Sequence, residues 1–391
     1  MKDLMEIDQN RKENEPSSVI TRLRVLIVAP SLRILGGQAV QAKRLIDRLK
    51  KESSLEVGFL PINPRLPGPL SNLQSVKYLR TIVTEVAYLI SLATRIPRFD
   101  VIHIFSASYT SFILAPAPAV LISRLFGKKS ILNYRSGEAE DHLTHWPGTT
   151  LPVLRRVDEI VVPSGYLVEV FGRFGFRARS VFNFVDTNRF RFRERNPLKP
   201  VFFANRNFEP HYNVACVLRA FAIVQKKLPQ AELIVAGDGK QRTELESLAS
   251  QLNLRNIKFL GLVPQEKMPE LYNAADIYLN CPNIDNMPGS IIEAFASGLP
   301  VVTTEAGGIP FIVTDGQSGL LVSCGDHEGV GGAALRLLED PALAASITRT
   351  AHKECEKYDW ESVREEWLRL YFELAEDRAV KGRLIEKPGT E

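Results

Sequence analysis

An alternation of short apolar runs with helical stretches, run through twice along 391 residues, constrains this chain more than any other feature. The first series opens at Leu23-Arg24-Val25-Leu26-Ile27-Val28-Ala29-Pro30. A run of that kind reads as a parallel strand buried on both faces. Helical periodicity follows from Gln38 to Lys51. Further strand-like runs come at Val57–Leu60, Val101–Phe105, Ser130–Asn133 and Glu159–Val162, with helical stretches at Val76–Ile96 and Tyr109–Phe126. The second series begins at Pro200-Val201-Phe202-Phe203-Ala204. It continues through Glu232–Ala236, Ile257–Leu260, Asp276–Asn280, Pro300–Thr304 and Gly319–Val322. Its helical stretches include Ala215–Lys227, Gln241–Gln251 and Ser290–Ser297. Strands alternating with helices predict an α/β class with mainly parallel sheets, and two series predict two doubly wound domains. Ligands of such sheets bind at the carboxyl ends of the strands, so the expected site is the cleft between the domains.

The stretch Phe190–Pro197 has neither periodicity and ends in proline, which puts the joint near 190–200. The expected units are therefore a first domain over 21–194 and a second over 198–356. A helix is expected over about 357–380, where Trp360, Val363, Trp367, Leu370 and Tyr371 recur at spacings of three and four. Residues 1–20 are expected to form a disordered tail: they are mostly polar, with no apolar core and no small-residue cleavage site, unlike a secretory signal. No run reaches the ~18–20 apolar residues that a spanning helix needs. The nearest, Phe112–Phe126, contains Pro116, Pro118 and Arg124. The four cysteines (Cys216, Cys281, Cys324, Cys355) form no C-x-x-C pair. That argues against a zinc knuckle and fits free thiols in a reducing compartment. The expected location is cytoplasmic, or peripheral at the inner face of a membrane.

The net charge of +4 hides an asymmetry. Residues 1–195 carry 29 Lys and Arg against 18 Asp and Glu; the remainder carries 20 against 27. A basic half can face nucleic acid, anionic lipid or a phosphorylated substrate, or can simply be solvated, and charge alone does not choose.

Gly36-Gly37 lies between the first strand and a helix, where glycines let backbone N–H groups approach a ligand. The segment is neither G-x-G-x-x-G nor a P-loop, which disfavours a nicotinamide-dependent dehydrogenase or an ATPase. As a plain structural turn the pair is equally ordinary. Gly237-Asp238-Gly239 closes a strand of the second series as a tight turn. The chain has no D-x-D, and His142-Leu143-Thr144-His145 is wrongly spaced for two ligands on one helix face, so no metal site is expected. The richest segment runs from Asn283 to Pro300, with Asp285 in a loop and Glu293 eight residues on, inside a helix whose first turn begins near Pro288. A helix start with unpaired N–H donors and two carboxylates can grip a polyhydroxyl ligand at several points. Read blandly, Asp285 is a cap and Glu293 an exposed helix residue.

Asp285 to Glu293 resembles the E-x7-E motif of retaining family-4 glycosyltransferases, which have the two-Rossmann GT-B fold. Gly36-Gly37 resembles their glycine loop, Asn205-Arg206 their Gly-Arg element, and Ala236-Gly237-Asp238-Gly239 their G-x-G turn. Ala274-Ala275-Asp276 resembles their "ADI" strand entry, and Val301 to Pro310 their "PVV-T-x-x-GG" segment. The resemblance covers about Arg24 to Val322. It implies sugar transfer from a nucleotide-sugar donor, UDP- or GDP-linked, to a glycan or lipid-linked acceptor, with retention and with no cofactor or required metal. Nucleic acid is not an expected partner. It also implies that the first domain serves the acceptor and the second the donor, with the C-terminal helix crossing back to the first. Arg206 is then expected on the donor diphosphate, where a guanidinium fork suits phosphate oxygens and offsets leaving-group charge. Glu293 is expected on the donor ribose, and Asp285, Asn286, Met287, Pro288 and Gly289 around the donor sugar. Gly36, Gly37, His211 and Gly237 complete the expected donor set. Arg206, Asp285, Glu293 and Arg135 make the expected catalytic set.

Three positions depart from the family pattern. The first Glu of the motif is Asp285. A Lys five positions after the Arg is replaced by His211, so either Arg206 carries most of the diphosphate charge or His211 is protonated by the diphosphate. A His after the strand Ser130–Asn133 is replaced by Arg135, which can orient a phosphate or hydroxyl but cannot act as a base. Arg135 and His142 are the expected acceptor contacts, with Asp141 as a further polar neighbour. His103, closing a strand, either faces the cleft or is satisfied in the core. The stretch Gln74–Arg98 sets Lys77, Arg80, Arg95 and Arg98 beside Tyr78, Leu79, Ile82, Val83, Val86 and Leu89. It reads either as a Rossmann helix with a basic outer face or as a dock for an anionic leaflet. Besides a transferase, the sequence admits a catalytically degenerate nucleotide-sugar-binding subunit, or an epimerase on the same plan.

Overall fold

The computed structural model describes residues 22–31, 37–66, 68, 72, 74, 76 and 79–385, with side chains to 377. The tail 1–20, Gly36, Lys77 and Tyr78 lie outside the described residues. Two parallel six-stranded sheets form the frame. The first holds β1 (Leu23–Ala29), β2 (Leu55–Pro61), β3 (Val101–Ser106), β4 (Lys129–Tyr134), β5 (Glu159–Val162) and β6 (Arg179–Ser180), in the order β2-β1-β3-β4-β5-β6. The second holds β7 (Val201–Asn205), β8 (Glu232–Ala236), β9 (Ile257–Gly261), β10 (Ile277–Asn280), β11 (Val301–Thr304) and β12 (Leu320–Val322), in the order β12-β11-β10-β7-β8-β9. This is the doubly wound pair that the alternation predicts.

Helices α1 (Gly37–Leu49), α2 (Leu79–Arg95), α3 (Thr110–Leu114), α4 (Pro116–Leu125), α5 (Ala139–His145), α6 (Pro147–Leu154) and α7 (Gly165–Arg173) surround the first sheet. The second carries α8 (Val214–Lys227), α9 (Arg242–Gln251), α10 (Met268–Ala274), α11 (Gly289–Ser297), α12 (His327–Glu339) and α13 (Pro341–Glu354). The stretch expected as one helix over Tyr109–Phe126 is two. Pro116 lacks an N–H and forces Ala115 out of the helical region, to φ −120° and ψ −65°.

Each sheet is packed on both faces. In the first domain, Leu26, Val28, Ile102 and Ile104 face Tyr88, Leu92 and Val120 of α2 and α4. The opposite face, with Val25, Ile27, Val101 and Phe105, is covered by α1 and by the last helix, α14 (Trp360–Ile385), through Trp360, Trp367 and Tyr371. The chain therefore returns to its first domain. Outward packing passes from the first core to the second between Phe184 and Val185, and the return passes back between Tyr358 and Trp360. The two crossings are joined where the Val185 N–H donates to the Tyr358 carbonyl at 2.9 Å.

Candidate functional site

In the first sheet the strand order reverses between β1 and β3, and in the second between β7 and β10. Ligands of doubly wound sheets sit outside the strand ends at such points. A cleft of about 420 Å³ opens there, built from the segments that follow β1, β4, β7 and β10. Arg206, His211, Asp285, Asn286, Met287, Pro288, Gly289 and Glu293 line it from the second domain, and Gly37 and Arg135 from the first.

The second-domain wall is held by glycines and a buried cation. Arg206 follows β7, and its guanidinium lies 3.9 Å over the Tyr212 ring and is ion-paired with Asp285. Burial is the largest single influence and disfavours its charge, but Asp285 together with Tyr212, Tyr278 and Tyr272 outweighs it, and the guanidinium pKa is raised. Its Nε is buried without a hydrogen-bond partner among the described residues, as is Nδ2 of Asn286. The loop 285–288 runs against Gly307 and Gly308. A Cβ at Gly307 would lie 2.2 Å from the Asp285 carbonyl oxygen, and one at Gly308 would lie 2.0 Å from that of Asn286. The loop ends at the start of α11, whose Pro288 N-cap supplies no side-chain cap and so leaves the first-turn N–H groups to other partners. Glu293 lies one turn further on and is buried, accepting from the Tyr272 hydroxyl at 3.0 Å and from Arg44 at 3.0 Å.

From the first domain, Arg135 follows β4 and donates to Asn183 and, at 3.4 Å, to Asn133. Burial pulls its pKa down to about 9. Asn183 in turn donates to the Met287 carbonyl at 3.0 Å, so Arg135 is tied through one amide to the second-domain loop.

Two expected site residues stand elsewhere. Gly237 does not line the cleft; it backs Arg206. With φ +148°, a Cβ there would sit 2.1 Å from the Arg206 carbonyl oxygen, so glycine lets the β8 turn support the β7 turn. His142 does not reach the cleft either. It is fully buried, with Tyr134 Oη at 2.8 Å on Nδ1 and Thr150 Oγ1 at 3.2 Å on Nε2. Its position on the inner side of the short helix α5 turns it into the core. Burial lowers its pKa to about 4, against a smaller opposing effect of Asp141. Asp141 is engaged by the Tyr109 hydroxyl at 2.6 Å. His103 is likewise a core residue, set between Tyr371 of α14 at 2.7 Å and Asn133 at 3.0 Å.

The sequence reading missed Arg44, Gln41, Asn183, Ser164, Tyr212, Tyr272 and Gln265. Ser164 hydrogen-bonds Asn286, and Arg44 also reaches Gln265 at 3.1 Å. A signal existed for two of them: Gln38, Gln41 and Arg44 form a polar row at spacings of three along α1, immediately after the glycine turn.

Residues 186–354 match the family described as glycosyl transferases group 1. The phosphatidyl-myo-inositol mannosyltransferase of Mycolicibacterium smegmatis is 29% identical over 175 residues, covering 44% of this chain and 45% of that protein. Among solved structures, the sucrose-phosphate synthase of Thermosynechococcus elongatus superposes with a TM-score of 0.73 at 17% identity, over 90% of this chain and 99% of the other. Anabaena HepE, in complex with UDP and glucose, superposes with a TM-score of 0.69 at 17% identity, over 89% and 99%. These two likenesses establish the fold. The chain spans 27% to 54% of the length of the first three curated relatives it matches.

Proposed function

We propose, from the match of residues 186–354 to the family described as glycosyl transferases group 1, that this chain transfers a sugar from a UDP- or GDP-linked donor to a glycan or lipid-linked acceptor, with retention and without a required metal. The observation that carries the reading is the convergence of Arg206, His211, the 285–289 loop and Glu293 on one wall of the cleft. A nucleotide sugar needs a cation for its diphosphate, a carboxylate for its ribose hydroxyls and backbone donors for its sugar, and that wall supplies all three. In the proposed step the bond from the anomeric carbon to the diphosphate oxygen breaks. The acceptor oxygen bonds to the same carbon on the same face, and its proton passes to the departing phosphate. Arg206 and the N–H groups at the start of α11 offset the charge that develops on the diphosphate. Asp285, now paired with Arg206, gives way to the diphosphate or shares the guanidinium with it. Arg135 orients the acceptor hydroxyl and takes no proton.

Thermal shift with UDP, GDP, ADP and their sugar conjugates, with and without EDTA, tests the donor site. A ligand at about a hundred times its Kd stabilises the native state by about 2.7 kcal/mol. We expect a rise with one nucleotide family, unaffected by EDTA and lost in Arg206→Ala and Glu293→Gln. Anomeric NMR of the turnover product then reads retention. No shift with any nucleotide, or an unchanged shift in Arg206→Ala, overturns the reading. Arg135, in place of a base, supports the second reading of a binding subunit without turnover. A donor shift combined with no transfer to any acceptor would favour it.

A further inference from the structure

We propose that the outer face of α2 and α4 docks the first domain on an anionic lipid bilayer. A helix covering a sheet ordinarily turns its apolar stripe inward and its polar face outward. Helix α2 does the reverse. It buries Tyr88 and Leu92 alone, with the Tyr88 hydroxyl donating to the Ala115 carbonyl at 2.9 Å. Leu79, Ile82, Val86, Leu89 and Ile90, at helical spacing, face outward, Ile82 being 64% and Ile90 59% exposed. Arg95, which on sequence belonged to a basic outer face, is folded back onto the Phe59 carbonyl at 2.8 Å. Helix α4 covers the same face of the sheet and likewise exposes Leu121 and Leu125, the latter 78% exposed, followed by Phe126. The two helices touch each other, and both turn apolar residues outward on the same side of the first sheet, as a docking surface does.

The charges around these residues choose the occupant. Arg80, Arg98 and Arg124 are exposed on these elements. The one acid among residues 79–98 and 110–128 is Glu85, which lines a cavity between α2 and the segment after β2 together with Arg80, so the cations that the outer face keeps clear of it are Arg98 and Arg124. A second copy of the chain, meeting this face by two-fold symmetry, would set arginine against arginine with no acid on the face to pair them. An anionic bilayer satisfies both features, taking the apolar stripe into its acyl boundary and the arginines at its headgroups. No described helix is long and apolar enough to cross a membrane, so the contact is with the surface. That such docking would bring the cleft to a lipid-borne acceptor rests on the transferase reading; the docking itself does not.

Flotation of the full chain with vesicles tests the proposal, using phosphatidylcholine alone and phosphatidylcholine with phosphatidylglycerol. We expect binding to the anionic vesicles at least about tenfold stronger than to the neutral ones, since each basic residue near such a surface adds attraction. The double variant Ile82→Glu, Ile90→Glu should lose that binding by at least tenfold, roughly the effect of placing carboxylates in the acyl boundary. Its urea midpoint and nucleotide-induced thermal shift should be unchanged, because both side chains project outward. Failure to float with either vesicle, equal binding to both, or undiminished binding of the double variant would overturn the proposal. So would light scattering that shows a dimer which the double variant dissociates. The nucleotide shift is read separately, so a failed dock leaves the donor reading standing, and the reverse.

Discussion

His142 and His103 show how far the same residue type can diverge from a sequence reading. His103 lies inside β3 and His142 in the helix that follows β4, and both are fully buried and hydrogen-bonded at each ring nitrogen. Burial lowers the pKa of His103 to about 3, with the Arg135 charge adding to it, and that of His142 to about 4. The sign follows from linkage. Both groups bind protons more weakly folded than unfolded, where histidine titrates near 6.5, so stability is whole above that value and is lost as pH falls toward the folded values. Between pH 7.5 and 5 the loss is on the order of 1–2 kcal/mol for each histidine. We expect the urea midpoint to fall across that range and to fall less in His142→Gln; an equal slope in the variant would show that His142 is not the group titrating. The glycines belong to the same scale. At Gly237, Gly307 and Gly308 the missing Cβ lets one loop pass within contact distance of the next.

At the scale of elements, the long periodic segments were legible and the short ones were not. Strands such as β1, β3 and β7 are mostly apolar runs of five to seven residues, a length that favours a buried strand over a helix. Helices α5 and α10 have seven residues each, α6 begins at Pro147 and contains Pro152, and α12 carries Gly329, Gly331 and Gly332. Their local propensity is weak and their helicity is decided by packing. Gly331 illustrates it, since a Cβ there would meet the Ala220 carbonyl of α8 at 3.1 Å. Helix α14 is the opposite case, with its apolar spacing plain in the sequence. Trp367 packs in the first-domain core beside His103, at 4.6 Å between ring centroids. Trp367→Ala should therefore destabilise the first domain by roughly 3–5 kcal/mol, as for other large buried aromatics. Urea unfolding measures this; a change under 1 kcal/mol would mean that α14 is only loosely seated.

For the whole molecule, the two crossings between domains lie side by side, and the cleft is spanned by Arg44–Glu293, Arg48–Asp186 at 3.1 Å and Asn183–Met287. Were the cleft to stay shut, Arg44→Ala would leave the buried Glu293 carboxylate short of its counter-ion, at a cost of roughly 3–5 kcal/mol. Opening about the paired crossings would let water take the carboxylate instead. We expect Arg44→Ala to change the melting temperature little and to enlarge the radius of gyration in small-angle scattering; an unchanged radius with a large loss of stability would mean a fixed cleft. The sequence alone determined the two doubly wound domains, the placing of Arg206 after a strand, and the loop-to-helix segment that carries Asp285 and Glu293, because these follow from local periodicity and from spacing within one segment. Tertiary structure alone decided that Arg44 meets Glu293 across 249 positions, that His142 turns inward, and that α2 turns its apolar stripe out. The direction a side chain faces depends on which neighbour covers its element, and no stretch of sequence contains that neighbour.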